Sequence, residues 1–161
     1  MKILFFFTLF ILSGNAMAKD QRMSPEVFFN KASFENMETV CSEFYHPDVV
    51  FEDPLGTVKG LPGLVGYYKN LYENLIEIRF EPLNTFKKGD EEIFVWQMHM
   101  RHKKVGNGKL IVLEGVSLFR YQDDKVIYHR DYFDAGAMIY EKVPVLGNLI
   151  RWIKRRAHGD H

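Results

Sequence analysis

Four long β-like runs fill the second half of the chain, at residues 76–87, 91–103, 109–121 and 125–134, with only a few residues between them. The separators, "KKGDE" (87–91), "VGNGK" (105–109) and "QDDK" (122–125), are rich in Gly, Asn and Asp. These residues tolerate the left-handed backbone that tight turns require. Strands this long, joined this tightly, pair with their sequence neighbours as an antiparallel meander, which twists and curves. One face of such a sheet needs cover, and the preceding residues supply it. Ser24-Pro25-Glu26 carries N-cap and first-turn chemistry. Helical spacing of Val27, Phe28, Ala32, Met37 and Val40 then predicts a helix running to about Tyr45. "VVFEDP" (49–54) predicts a short strand stopped by Pro54 and Gly56. A second helix over 60–74 turns Leu64, Tyr67, Tyr68, Leu71 and Leu75 inward. Helices first and strands after give an α+β fold with the helices on one sheet face. At 161 residues and 47% hydrophobic, the chain can bury one core as one domain.

The last run ends in "HRDYFD" (129–134), which carries charge on both sides of a strand. Alternation puts His129, Asp131 and Phe133 on one face and Arg130, Tyr132 and Asp134 on the other. Asp134 then suits capping or pairing at the strand end, and His46, before Pro47, suits a turn.

The first 20 residues differ in kind. Lys2 is followed by an apolar stretch from Ile3 to Leu12 and by Ala16-Met17-Ala18, the pattern of a cleaved export signal. Cleavage after Ala18 is expected to send residues 19–161 to a bacterial periplasm. The lone cysteine, Cys41, has no partner for an internal disulfide. Neither zinc-ligand spacing nor a phosphate-cradling glycine motif occurs, so neither a metal nor a cofactor is expected. The formal net charge is zero, which gives no reason to expect a nucleic-acid partner.

Helices, then "FYHPDVVFEDPLGTVKG" (44–60), a helix, and a meander ending in "HRDYFD" resemble the nuclear-transport-factor-2-like superfamily over residues 24–140. The most similar groups are the SnoaL-like proteins, the ketosteroid isomerases and the limonene-epoxide hydrolases. The resemblance implies a cone: a curved antiparallel sheet, of the cystatin-like α+β barrel type, wrapped on N-terminal helices around a pocket. "FEDPLG" resembles the isomerase segment whose Asp-Pro supplies the general base, which implies that role for Asp53. "RDYFD" is shared with the hydrolases, where its first Asp helps to activate the attacking water, which implies that role for Asp131. The Tyr and Asn that also hold that water match Phe51 and Asp53. There are departures. The hydrolase Arg-x-Asp pair falls here near Met98 and Met100, and the isomerase oxyanion-hole residues fall near Phe29 and near Ser117 or Val116.

In both families the last strand turns the residue matching Asp131 into the pocket. That register puts His129, Asp131 and Phe133 inward, with Trp96, Met98 and Met100 on the pocket side of their strand and His99 outward. An apolar pocket holding Asp53, His129 and Asp131, walled by Phe51, Tyr68, Trp96, Met98, Met100, Ser117 and Phe133, suits a small hydrophobic ligand. Two carboxylates crowded in such a place share a proton more readily than they carry two charges. Asp53 as base, Asp131 as paired acid or water holder and His129 as orienting partner would form a cofactor-independent isomerase-like or hydrolase-like site. The alternatives are a non-catalytic binder of a lipid or other apolar molecule, and a structural module dimerising through its sheet.

Beyond the SnoaL-like domain that the resemblance implies for 19–144, residues 145–161 are expected to form a basic amphipathic helix and tail. Leu146, Leu149, Ile150 and Ile153 line one stripe, and Arg151, Trp152, Lys154, Arg155 and Arg156 crowd the rest. Such a helix either rests on an anionic membrane or caps the fold with a solvated face.

Overall fold

The structure, a computed structural model, describes residues 22–159; the expected leader 1–18 and its cleavage point lie outside the described residues. The N-terminal helix divides into two: α1 (Pro25–Lys31) and α2 (Met37–Phe44). Ser24 caps α1 through its hydroxyl, which accepts from Val27 N at 3.3 Å. The single helix expected here breaks because Ser33 and Asn36 satisfy each other locally. Ser33 N donates to Asn36 Oδ1 at 2.7 Å and Asn36 N donates to Ser33 Oγ at 3.3 Å. Side chains of this kind compete with helical backbone bonds.

α2 runs directly into β1 (Tyr45–Asp53), which begins four residues before the expected start. The Pro54-Leu55 turn then leads to the short β2 (Gly56–Lys59), followed by α3 (Leu61–Tyr72). The meander forms where the turns predict it: β3 (Leu75–Lys88), β4 (Glu91–His102), β5 (Ile111–Gln122) and β6 (Lys125–Phe133). Asp123 and Asp124 both take positive φ, 51° and 60°, in the two-residue turn between β5 and β6. After β6 come a one-turn helix, α4 (Ala135–Met138), a 3₁₀ turn at Tyr140–Lys142 and α5 (Pro144–His158). Asp134 caps α4, accepting from Ala137 N at 2.9 Å.

The six strands form one sheet in the order β2-β1-β6-β5-β4-β3. The meander strands pair antiparallel as expected, and β1 joins them by running parallel to β6. β2 and β3 are free edges, so the sheet is curved but open and no barrel closes. Along β4 the buried positions are Glu92, Phe94, Trp96, Met98 and Met100, a strict alternation. On β5 they are Ile111, Leu113, Gly115, Ser117, Phe119 and Tyr121. A register shift near Arg120/Tyr121 sets β6 in phase with them, pairing Phe119 with His129, Ser117 with Asp131 and Gly115 with Phe133.

The helices fill the concave face with aromatic rings. Phe28 stacks on Phe44 with centroids 4.4 Å apart, and Phe29 stacks on Phe80 at 4.5 Å. Asn30 fixes α1 to β3: its amide donates to Phe80 O and accepts from Phe80 N, both at 3.0 Å. A side chain thus completes the backbone pairing of an edge strand.

Gly115 faces Trp96 across β4 and β5, and a Cβ there would stand 2.3 Å from the indole. The missing side chain is what lets the indole lie flat against β5. Gly115→Ala is therefore expected to destabilise the fold by about 1–3 kcal/mol through overpacking. An unchanged urea midpoint with unchanged tryptophan emission would contradict this.

Candidate functional site

Between the helices and the sheet lies a cavity of about 200 Å³. It is small beside the roughly 300–1,000 Å³ of ordinary ligand pockets. Phe51, Asp53, Tyr68, Trp96, Met98, Met100, Asp131 and Phe133 all reach its wall. His129 and Ser117, fully buried, do not; they stand behind Asp131. β1 and β6 bring the two carboxylates together. Phe51 pairs with His129 and Glu52 with Arg130, and Asp53 and Asp131, the next residue of each strand, both line the cavity.

Asp131 ends a continuous chain of buried hydrogen bonds. Its Oδ1 accepts from Ser117 Oγ at 2.5 Å and lies 2.8 Å from His129 Nε2. His129 Nδ1 is 2.8 Å from the Tyr45 hydroxyl, which is 2.9 Å from the Tyr68 hydroxyl. Trp96 Nε1 donates to Ser117 Oγ at 2.9 Å. Burial pushes the Tyr45 and Tyr68 phenols well above their ordinary value, so both remain O–H donors. One assignment gives every hydrogen an acceptor: Tyr68 donates to Tyr45, Tyr45 to Nδ1, and Nε2–H to Asp131. No group among the described residues engages Asp131 Oδ2, and the Asp131 side chain is 13% exposed. The chain therefore holds one carboxylate oxygen and leaves the other open.

Asp53 is placed differently. Its Oδ1 accepts from Leu55 N at 2.7 Å and Gly56 N at 2.9 Å, closing the turn between β1 and β2. Its Oδ2 takes the Tyr67 hydroxyl from α3. Burial, the bond to Asp53 and the charge of Asp53 together raise the Tyr67 phenol, which stays a donor. Both Asp53 oxygens thus have structural partners, and Asp131 is the acid with a vacant one.

At another part of the wall, burial holds His102 below its ordinary value. His102 Nδ1 accepts from Lys104 N at 3.2 Å. Among the described residues no cluster of three or more His, Cys, Asp or Glu side chains could hold a metal ion. Reading from sequence missed Tyr45 and the pairing of Tyr67 with Asp53. Tyr45 was legible only as a helix end, because its role depends on β1 starting there and lying beside β6.

An open curved sheet wrapped on helices around an apolar cavity is the architecture of the nuclear-transport-factor-2-like class. Within it, the chain belongs to the SnoaL-like domain family, whose model matches residues 28–129. Solved structures share the fold. A hypothetical protein with a ketosteroid isomerase-like fold from Catenulispora acidiphila, in complex with trimethylamine, is 12% identical. The match covers 76% of this chain and 95% of that one, with a TM-score of 0.61. A candidate SnoaL-like polyketide cyclase from Shewanella denitrificans is 20% identical, covering 76% and 93% with a TM-score of 0.58. TerC, co-crystallised with polyporic acid, is 21% identical, covering 71% and 95% with a TM-score of 0.56. No curated protein matches the chain.

The buried protons carry a pH signature. Burial pushes Cys41 up to about 12 from an ordinary 9.0, and raises Tyr45, Tyr68 and Tyr72 above 10.0. Each group binds its proton more tightly folded than unfolded, so the stability it contributes is complete below its unfolded value and lost above it. Urea midpoints are expected to be unaffected by these groups up to about pH 9 and to fall from there, more steeply above pH 10. Tyr45→Phe should flatten that fall; a variant with the wild-type slope would contradict the assignment.

Proposed function

We propose that the cavity takes a small hydrophobic molecule and that Asp131 moves a proton on it, or on a water beside it. The observation that carries this reading is the half-committed carboxylate. Oδ1 is tied to Ser117 and His129, while Oδ2 meets no donor among the described residues in a wall made mostly of aromatic and methionine side chains. A carboxylate fixed in this way has its orientation set before the substrate arrives. His129 orients it and, through Tyr45 and Tyr68, supplies polarisable donors that respond as its charge changes. Asp53 holds the turn and the Tyr67 hydroxyl at the adjoining wall. The reaction would be isomerase-like or cyclase-like proton transfer between carbons, or water activation, with side chains alone doing the acid–base work. The family, and solved neighbours described as candidate cyclases and isomerases, support that range.

A second reading has its own support. The Tyr68 hydroxyl, the Tyr67 hydroxyl and the Trp96 N–H each already serve a protein acceptor. The wall therefore offers few donors for a developing oxyanion, as a binder of apolar molecules would. Export of the chain, read from residues 1–18, would set either activity in the periplasm.

One experiment separates the two. The molecule retained through gentle purification is identified by mass spectrometry, and its carbon-bound deuterium uptake is followed in D₂O with the protein. Under the catalytic reading the wild type accelerates exchange, and Asp131→Asn slows it about 100-fold or more with binding retained. Equal exchange by wild type and Asp131→Asn would remove Asp131 from the chemistry. No acceleration by the wild type, together with no oxygen-18 taken up from labelled water, would leave a binding protein.

A further inference from the structure

α5 is braced against the turn at Tyr140–Lys142 through Gly147, Arg151 and Lys154, and most of its large apolar side chains face water. Gly147 is buried, and a Cβ there would stand 2.3 Å from the Glu141 carbonyl oxygen. On the same side Lys154 pairs with Glu141 at 2.5 Å and with Asp134 at 3.5 Å. Arg151 donates to the Glu141 carbonyl at 3.3 Å and to Asn148 Oδ1 at 2.7 Å. At about 100° per residue, Val145, Leu149, Trp152 and Ile153 fall on the far side. They are left 83%, 51%, 48% and 51% exposed. In a helix that caps a core this stripe would be the buried one.

Of the four cations expected to crowd the tail, two are therefore structural anchors. Arg155 and Arg156 make no ion pair among the described residues, and the Arg156 guanidinium lies 4.9 Å from the centre of the Trp152 ring. α5 contains no Asp or Glu. No described helix is long and apolar enough to cross a membrane.

We propose that α5 is a docking surface for a bilayer containing anionic lipid. Its apolar stripe would sink to the acyl boundary, with Trp152 at the interface and Arg155 and Arg156 among headgroup phosphates. A bilayer offers an apolar phase bordered by negative charge, the two things this face lacks. A second copy of α5 would cover the stripe but offers no acidic side chain to Arg155 and Arg156, because α5 contains no Asp or Glu. The inference is independent of whether the cavity is catalytic. It does place the cavity close to the lipid, because Met138 and Ile139, just before the turn that braces α5, line that cavity.

The test uses the chain as isolated after cellular processing, with vesicles of phosphatidylcholine containing phosphatidylglycerol and with pure phosphatidylcholine vesicles. Trp96 is buried, so Trp152 is the reporter, and Trp152→Phe assigns its signal. Anionic vesicles are expected to shift Trp152 emission to the blue, and bromine-labelled lipids to quench it. Arg155→Gln with Arg156→Gln should weaken binding about tenfold or more. Leu149→Ser with Ile153→Ser should abolish the quenching while leaving the thermal unfolding of the domain unchanged. No quenching in the wild type, or quenching undiminished from wild type in both double variants, overturns the proposal. So does a wild-type dimer that Leu149→Ser with Ile153→Ser turns into a monomer without any lipid response, which would assign the face to a second copy.

Discussion

A fully buried imidazole is costly unless both ring nitrogens are engaged, and His129 meets that condition with partners from different parts of the fold. Nδ1 meets Tyr45, where α2 becomes β1, and Nε2 meets Asp131 on its own strand. Tyr45 in turn meets Tyr68 of α3, and Asp131 meets Ser117 of β5, which meets Trp96 of β4. The ring itself is enclosed by aromatics, 4.3 Å from Phe119 and 4.9 Å from Phe51 between centroids. Removing any link leaves a buried polar group without its partner, a loss of about 1–3 kcal/mol each. Packing and polar satisfaction therefore converge on one side chain, and helix layer and sheet cannot shift independently.

The same interaction shapes the site. With both phenols protonated, the assignment that gives every hydrogen an acceptor runs donation from Tyr68 through Tyr45 and His129 to Asp131. The carboxylate is held from behind and presents its second oxygen to the cavity. Gly115 contributes by absence: the space its side chain would fill is taken by Trp96, whose N–H orients the serine that binds Asp131. Asp53, the other family-matched acid, spends one oxygen on backbone amides and the other on Tyr67. In the proposed reading it is therefore Asp131 that acts on the ligand, with Asp53 holding the turn beside it.

Much of this architecture was legible in the residues. The turns at Gly89, Gly106–Gly108 and Asp123–Asp124 delimit the strands, and period-two burial along β4 follows directly from alternating apolar residues. "HRDYFD" and "FEDP" pointed to two acids, which share one cavity wall. Long-range partnerships were not legible. Nothing near Tyr45 in sequence indicates a bond to residue 129, since it arises from the parallel pairing of β1 with β6. The helix break at Ser33–Asn36 escaped the periodicity because apolar positions on both sides keep a helical rhythm while local side-chain bonds interrupt the backbone. The amphipathic tail was visible as a pattern, but not its orientation, which Gly147 and the Lys154 ion pairs determine.

The direction of the buried chain is the feature from which the role of Asp131 follows, and the protonation of one ring reports it. Nitrogen-15 NMR of His129 at neutral pH measures it without any knowledge of the ligand. The expected result is a proton on Nε2 and a bare, hydrogen-bonded Nδ1, with Asp131 as acceptor. A proton on Nδ1 with a bare Nε2 would reverse the chain and make Asp131 the donor, contradicting the proposed role.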